Sequence, residues 1–416
     1  MAMRRRLCAL AAMTLLVAGG SSKKEGTTSG STTSTKGGCS ASPAAQKAYE
    51  APWTQGAQAF GIGKLDITKI SICQVNTGKF KKTPKNGSYR IALAAQGPTN
   101  SWAAENEAAF KAEAQAKHVT ELYASANGDA TKQVDNIQQL ASQNPDAMVV
   151  VPMGSGITGQ VKAATAQGIP VVACAGQIPA SSGVVSTVTR SYDLQGKLWA
   201  EWVAKQIGGK GRIAMISGIA GVPTAEFQKT AAEQVFAKHP EVKIVTKQYT
   251  DWSPTKAKTV AANLVAKYPN IKIVSKQYDD WSPTKAKTVA QSLVSKNLDA
   301  IWSDSSFTAL GVYEAYTQAG KPVPPVTGDA SNAFLKAVRG KNVKFALSPF
   351  PPELASQCLD TAYSIVQGKP VANFVNVQAP AFTNADASQY IKPQCSDNLW
   401  VPATLPVAEQ HKLKLC

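Results

Sequence analysis

The sequence predicts an α/β protein made of two doubly wound parallel-sheet lobes. Two stretches, residues 89–110 (YRIALAAQGPTNSWAAENEAAF) and 212–227 (RIAMISGIAGVPTAEF), each join an apolar strand, a turn-forming loop and the start of an amphipathic helix. They lie about 120 residues apart, so each is predicted to begin one lobe. In open α/β sheets ligands bind beyond the carboxyl ends of the strands, so the loops GPTNSW and GIAGVP are predicted to hold a small molecule.

The remaining elements alternate between strand and helix in the same way. The strands are near-continuous apolar runs, as a parallel sheet covered by helices on both faces requires. Strands are predicted at 91–96, 119–125, 147–152, 169–175, 211–217, 299–305, 324–329, 344–350 and 374–380, with one more ending at Tyr249. Helices are predicted at 103–117, 129–143, 157–167, 194–207 and 353–366.

The chain length and composition fit two folded domains. The 416 residues suffice for two domains of about 100 to 200 residues each, and 44% hydrophobic with 17% charged residues is ordinary for a globular protein. The net charge of +17 is spread over predicted helices, as at Lys256, Lys258, Lys285 and Lys287. Because no arginine-rich block with interleaved aromatics follows the first 20 residues, solvated helix faces are favoured over a nucleic-acid surface.

Residues 1–20 have the pattern of an export signal. Arg4, Arg5 and Arg6 precede an apolar core at 7–18 that is too short to span a bilayer as a permanent helix. The protein is therefore expected in the periplasm or at the cell surface. Gly20 stands where a lipoprotein signal has its lipid-bearing cysteine, which argues against a lipid anchor. Either a signal peptidase cuts near residues 18–20 and releases the protein, or the anchor residue has been lost.

Export places the later cysteines in a compartment that permits disulfides. Six cysteines allow 15 connectivities, of which we prefer Cys39 with Cys73 and Cys358 with Cys395. Cys174 is expected to be a buried strand residue and not a nucleophile. No metal site is expected, because there is no paired CxxC and the three histidines are scattered.

The segments around the lobes differ in composition. Residues 21–45 form a Ser, Thr and Gly-rich tether that cannot bury a core. Residues 46–88 are predicted as an extension whose Trp53 and Phe60 pack on the first lobe. The first lobe is expected to comprise 89–191 plus 350–370, the second 192–349 plus 371–382, and the C-terminal tail 383–416.

One βα unit is duplicated in the predicted second lobe. Residues 242–267 and 271–296 are identical at 20 of 26 aligned positions. Each copy is predicted as a strand, a turn with Ser253 or Ser282 as N-cap, and an amphipathic helix. Two copies are too few for a solenoid, so a local duplication is the better interpretation.

Seven motifs in this order resemble the type I periplasmic binding proteins, specifically the ribose-binding-like substrate-binding subunits of ABC sugar importers. They are IALAAQGPTNSW, NPDAMVVVP, GIPVVACAG, ISGIAG, WSPTKA, IWSDSS and VTGD, and the resemblance covers residues 89–368. It implies lobes of five strands in the order 2-1-3-4-5, three crossovers that form a hinge, and a ligand enclosed when the lobes close. It also implies a monomer that delivers a small molecule to a membrane permease, with no cofactor, no nucleic-acid partner and no enzymatic activity.

The resemblance also assigns ligand-binding residues. Asn100 stands where the family has a hydrogen-bonding amide, and Trp102 where an aromatic stacks on the sugar ring, with Ser101 between them. In the second lobe Asp304 and Asp329 fall at hydroxyl-binding positions. Gln177 and Gln228 complete the predicted first and second lobe contacts.

The family's second stacking aromatic falls on the tryptophan of DWSP, which occurs twice here as Trp252 and Trp281. Only one of the two is expected to reach the cleft. Trp281 is favoured because its helix leads directly into DAIWSDS. Trp252 is the expectation if the first copy keeps the family position and the second is extruded.

The chain departs from the ribose-type pattern at several positions. Ala175 and Gly176 replace an Asp and Arg pair, Gln228 replaces an arginine, and Pro349 replaces a glutamine. These changes argue against ribose itself. Two carboxylates without a nearby cation would repel anions, so a neutral ligand is favoured, with a sugar or polyol first and nucleosides, autoinducer-like furanones or small amides as alternatives.

Other roles and other functions remain open at this level. Asp304 and Asp329 have the alternative of capping the helices that follow them, and Trp102 that of ordinary packing. A chemoreceptor, signalling partner or repressor-like sensor of the same fold is the alternative function, although a repressor needs a helix-turn-helix where the signal and tether stand. An exported α/β enzyme is disfavoured, because the GSG at 154–156 lacks the GxSxG pattern.

Overall fold

The fold is described from a computed structural model, in which residues 39–67, 70–217, 222–249, 287, 291, 298–377 and 379–416 are described. The predicted export signal, the tether up to residue 38, both DWSP tryptophans and most of the duplicated unit lie outside these residues. Within the described ranges no helix combines the length and the apolar character needed to cross a membrane.

The described elements follow the predicted alternation. The strands are β1 (Cys39–Ala41), β2 (Cys73–Val75), β3 (Arg90–Ala95), β4 (Thr120–Ser125), β5 (Ala147–Val150), β6 (Val171–Cys174), β7 (Ser186–Thr189), β8 (Gly211–Ser217), β9 (Val242–Tyr249), β10 (Ala300–Ser303), β11 (Val326–Gly328), β12 (Phe345–Leu347), β13 (Val371–Ala372), β14 (Phe374–Asn376) and β15 (Phe382–Thr383). The helices are α1 (Pro43–Ala59), α2 (Ser101–Ala116), α3 (Ala130–Ser142), α4 (Thr158–Ala166), α5 (Tyr192–Gln206), α6 (Pro223–Phe236), α7 (Ser306–Gln318), α8 (Asn332–Val338), α9 (Leu354–Val366) and α10 (Val407–Lys412).

Two six-stranded sheets confirm the predicted α/β fold with two parallel-sheet lobes. The first has the order β14-β7-β6-β5-β3-β4 and the second β15-β12-β11-β10-β8-β9. All pairs are parallel except β12 with β15. The inner strands β5, β6 and β10 are buried at every residue, as expected when helices cover both faces. Strands β3 to β7 and β8 to β12 each follow the order 2-1-3-4-5.

The sixth strand of each sheet comes from the end of the chain and corrects the predicted lobe boundaries. Residues 371–382 were assigned to the second lobe, but β14 pairs with β7 of the first sheet and β13 pairs with β2. Only β15 joins the second sheet. The chain therefore passes between the lobes after β7, after β12 and after β14. Their role as a hinge stays a prediction.

Trp53 and Phe60 of the N-terminal extension pack on the second lobe, and the prediction that they pack on the first was wrong. The ring of Phe60 lies 6.4 Å from that of Trp202 on α5, and Trp53 is buried in the same cluster as Leu198. Gly56 permits this approach, because a Cβ there would lie 3.0 Å from Leu198 Cδ2. The folded part also begins earlier than the predicted tether boundary of 45, since β1 and α1 start before it.

Three disulfides connect the six later cysteines. Cys39–Cys73 confirms one predicted pair, whereas Cys358 pairs with Cys174 and Cys395 with Cys416, so the predicted Cys358–Cys395 pair was wrong. The physical reason is the orientation of α9. Its fully buried Cys358 faces strand β6, and the tail ends beside its own Cys395.

Both copies of the duplicated unit contact the second lobe at the points that are described. The strand of the first copy, β9, forms the sheet edge and pairs parallel with β8. Lys287 of the second copy forms an ion pair with Glu314 of α7, with Nζ 3.3 Å from Oε2. Which copy supplies the cleft tryptophan stays a prediction.

Candidate functional site

A cavity of about 110 Å³ lies between the carboxyl ends of the two sheets. One water needs about 10–15 Å³ of such space, so the cavity has room for a small multi-atom ligand. From the first lobe it is lined by Gln96, Asn100, Trp102, Val151, Pro152, Met153, Ala175 and Arg190. The remaining lining residues are Tyr192, Val222, Thr224, Ala225, Gln228, Asp304, Asp329, Phe350 and Trp400. Four of the polar ones, Gln96, Arg190, Asp304 and Asp329, directly follow a strand end, where open α/β sheets bind ligands.

The loop after β3 places Asn100 and Trp102 at the cavity wall, where the sequence predicted them. Asn100 is the N-cap of α2, and its Oδ1 accepts a hydrogen bond from the backbone N–H of Ala103 at 2.9 Å. The indole N–H of Trp102 donates to Phe350 O at 2.9 Å, and the two rings stack with centroids 5.3 Å apart. Since its N–H is already used, Trp102 offers the cavity an aromatic surface.

Asp304 and Asp329 reach the cavity from the second lobe. Asp304 Oδ2 accepts a hydrogen bond from Ser217 Oγ at 3.2 Å. Asp329 Oδ1 accepts from the backbone N–H of Ser306 at 2.6 Å, so it caps the start of α7 and not the helix that follows it. Burial raises the pKa of Asp329, while the Ser306 hydrogen bond and the charge of Arg190 oppose that rise.

Arg190 is a cavity residue that the sequence analysis missed. It follows β7, is 3% exposed, and donates from Nη1 to Ser348 O at 3.3 Å. Its guanidinium lies 4.2 Å from the centre of the Phe350 ring. Burial lowers the pKa of Arg190 to about 10, while Tyr192, Asp329 and Asp304 oppose this, so it stays charged at neutral pH. Its buried Nε has no hydrogen-bond partner among the described residues.

Arg190 corrects the premise that the cleft carboxylates have no nearby cation. Its charge interacts with both Asp304 and Asp329 across the cavity. The available signal was the segment STVTR, in which a strand ends on an arginine. Three of the four strand residues are Ser or Thr, so the apolar pattern that marks the other buried strands is weak here.

The geometry around Ala175 shows what this chain has at the cavity in place of the Asp and Arg pair. Ala175 has a left-handed φ of 59°, and its carbonyl accepts a hydrogen bond from the Tyr192 hydroxyl. A Cβ on Gly176 would lie 2.5 Å from Pro152 Cγ, which real side chains do not tolerate. Burial raises the pKa of Tyr192, with the charge of Arg190 opposing the rise. The loop therefore presents backbone to the cavity, and Arg190 provides the cation from the next strand.

The other predicted site residues divide between the cavity and its surroundings. Gln228 lines the cavity, and its Nε2 donates to Gln195 Oε1 at 3.2 Å. Ser101 and Gln177 are not among the lining residues. Ser101 instead accepts a hydrogen bond from the indole of Trp400, a tail residue that the sequence analysis also missed. Within the described ranges no His, Cys, Asp and Glu side chains are grouped so as to hold a metal ion.

Trp252 and Trp281, which lie outside the described residues, are predicted to differ in their effect on the Kd of the ligand. We expect Trp252→Ala to raise the Kd of the ligand about 10- to 100-fold, the cost of losing a buried aromatic contact, because the strand before it, β9, holds the edge position beside β8. We expect Trp281→Ala to change it less than threefold. Isothermal titration calorimetry measures both. Equal large losses, or a larger loss at Trp281, would contradict the assignment.

The chain was compared with known families and proteins. The periplasmic binding protein domain matches residues 91–275 and 264–370, two stretches that overlap inside the duplicated region. The ribose import binding protein of Bacillus subtilis is 22% identical over 317 residues, which are 75% of this chain and 94% of the relative. The xylitol-binding protein of Mycolicibacterium smegmatis is 25% identical over 287 residues, 68% of this chain and 74% of the relative.

Solved structures show the same fold. An ABC transporter solute binding protein from Bacillus halodurans with bound myo-inositol superposes with a TM-score of 0.61 at 18% identity, covering 74% of this chain and 98% of that one. Another from Mycobacterium smegmatis, with bound glycerol, gives a TM-score of 0.58 at 24% identity, with 74% and 98% covered.

Proposed function

Because the chain belongs to the periplasmic binding protein domain family, we propose that it captures a small neutral sugar or polyol between two closing lobes. In this proposal the protein is an exported, monomeric solute-binding protein. It delivers the ligand to the membrane permease of an ABC importer.

The observation that carries the proposal is the chemistry of the cavity wall. Aromatic rings from both sides stand beside hydrogen-bonding groups, a combination that suits a molecule with apolar C–H faces and several hydroxyls. The cavity offers hydroxyl groups the carboxylates of Asp304 and Asp329, which accept hydrogen bonds, and the amide of Gln228, which both donates and accepts. Arg190 can donate from its Nε, which has no protein partner among the described residues. A site built on buried hydrogen bonds also rejects analogues that lack the matching groups.

The charge of the cavity supports a neutral ligand. The sequence analysis argued this from two carboxylates that would repel anions, whereas the structure adds a cation that balances them. Arg190 offsets one of the two carboxylates, and burial disfavours the ionised form of Asp329. A strongly anionic or cationic ligand would disturb this balance. The names of the similar proteins and structures mention ribose, xylitol, myo-inositol and glycerol. All four are neutral polyhydroxy compounds.

The described side chains that line the cavity include no nucleophile and base arranged for covalent catalysis. Among the described residues that line the cavity there is no histidine or cysteine, and Cys174, next to the lining residue Ala175, is held in a disulfide. We therefore propose binding and release without an enzymatic step.

A thermal-shift panel tests the proposal. D-ribose, xylitol and myo-inositol are compared with ribose 5-phosphate as the anionic control and adenosine as the competing ligand class. At 100 times its Kd a ligand adds about 2.7 kcal/mol, so at least one neutral compound is expected to raise Tm by roughly 5–10 °C. A shift with the phosphate or the nucleoside alone would overturn the neutral sugar or polyol proposal.

A further inference from the structure

We call residues 384–416, the part of the chain after β15, the tail. The main chain passes between the lobes three times, and the tail forms a further connection between them. Its first half is held on the second lobe around the start of α8. The backbone N–H of Asn332 donates to Leu399 O at 2.9 Å, and that of Val401 donates to Ala330 O at 3.1 Å. The side chain of Asn332 also accepts from the backbone N–H of Lys392 at 3.0 Å.

The tail then reaches the first lobe. The indole N–H of Trp400 donates to Ser101 Oγ, at the first residue of α2, over 3.1 Å. Further on, the backbone N–H groups of Thr404 and Leu405 donate to Glu353 Oε1 at 2.9 and 3.1 Å. Glu353 immediately precedes α9, which packs on the first lobe.

Residues 395–416 of the tail form a closed loop. The disulfide between Cys395 and Cys416 joins the start of this loop to its end, and the backbone N–H of Ser396 donates to Leu415 O at 2.6 Å. The loop has one flank on each lobe. A pull on either flank is therefore transmitted to the other through covalent bonds.

Trp400 stands where this loop meets the cavity. Its ring is 4% exposed, lines the cavity, and packs edge-to-face on Phe307 of α7 with centroids 5.1 Å apart. Its partner Ser101 is the neighbour of Trp102, the aromatic wall of the first lobe. One side chain thus contacts the ligand space, the second lobe and the first lobe together.

We propose that Trp400 is a ligand-contacting residue, and that the tail carrying it fastens the two lobes in the closed form. The ligand class rests on the proposed function: the ring meets the apolar C–H face of a neutral sugar or polyol. Ligand contact and lobe fastening then share one residue, so a bound ligand that orders Trp400 also favours its hydrogen bond to Ser101.

The test measures binding of D-ribose, xylitol and myo-inositol by calorimetry for the wild type and four variants. Trp400→Ala is expected to raise Kd about 10- to 100-fold because it removes the ring. Trp400→Phe and Ser101→Ala each remove one hydrogen bond and are expected to raise Kd about 2- to 10-fold. The double variant W400F/S101A should be no weaker than either single variant, because both lose the same bond.

Val407→Ala is the matched control, since this tail side chain is 65% exposed and makes no contact with the cavity. It should bind like the wild type. A Kd of Trp400→Ala within twofold of the wild type would overturn the ligand contact. If Trp400→Ala does not fold, additive losses in the W400F/S101A cycle would overturn the shared bond.

Small-angle X-ray scattering of the ligand-free proteins separates this proposal from the proposed function. W400F/S101A is expected to have a larger radius of gyration than the wild type and the Val407→Ala control. If the wild type binds none of the three compounds, the proposed function fails, while this larger radius would still support a tail that fastens the lobes. An unchanged radius would overturn the fastening in either case.

Discussion

Replacing Arg190 by methionine is expected to raise the Kd of the ligand about 30- to 1,000-fold. The change keeps much of the side-chain length but removes the buried cation, and truncating one partner of a buried charge cluster costs about 2–4 kcal/mol. Asp304 and Asp329 would then face the cavity without the charge that offsets them. Calorimetry with the compound identified in the thermal-shift panel measures the loss.

Two further variants show whether the effect belongs to the site. Arg190→Lys keeps the charge but not the planar fork, so it is expected to recover only part of the affinity. Arg339→Met removes an exposed arginine of the second lobe and should bind like the wild type. Binding by Arg190→Met within threefold of the wild type, with an intact fold by circular dichroism, would show that Arg190 has no part in ligand capture.

Removing the buried disulfide is expected to cost more stability than removing the tail disulfide. Cys174 and Cys358 are 184 residues apart, whereas Cys395 and Cys416 are 21 apart. In the chain-entropy description the longer loop contributes about 5 kcal/mol and the shorter about 3 kcal/mol. C174A/C358A should therefore lower Tm by roughly 10 °C or more.

The matched control is C395A/C416A, which leaves the first lobe untouched and should lower Tm by a smaller amount. Differential scanning calorimetry under oxidising conditions compares both variants with the wild type. An equal fall for the two pairs, or a fall of less than about 2 °C for C174A/C358A, would show that chain entropy does not set the contribution of the buried pair.

The sequence predicted well those parts of the fold that depend on local pattern. Strands such as β5 and β10 are uninterrupted apolar runs, and the loops after them contain the turn and capping residues that start a helix. The family predicted from seven motifs is confirmed by the match over residues 91–370. Asn100, Trp102, Gln228, Asp304 and Asp329, which the resemblance assigned to ligand binding, all line the cavity.

The parts that the sequence did not predict depend on contacts between distant segments. Arg190 follows a strand rich in Ser and Thr, so hydrophobic pattern did not mark it. Trp400 reaches the cavity only because Asn332 and Glu353, far from it in sequence, hold the tail in place. The pairing of Cys358 depended on which face of α9 meets β6, and six cysteines by themselves leave that choice open.

The small antiparallel sheet of β1, β2 and β13 is the place where the predicted tether meets the folded part of the protein. Cys39 is fixed to Cys73, and β13 lies just before the last pass between the lobes. Asn373, in that same segment, accepts a hydrogen bond from the backbone N–H of Cys73 at 3.0 Å. A pull from the predicted tether is therefore expected to act beside the crossover that follows β14, close to the predicted hinge, and not at the outer end of either lobe.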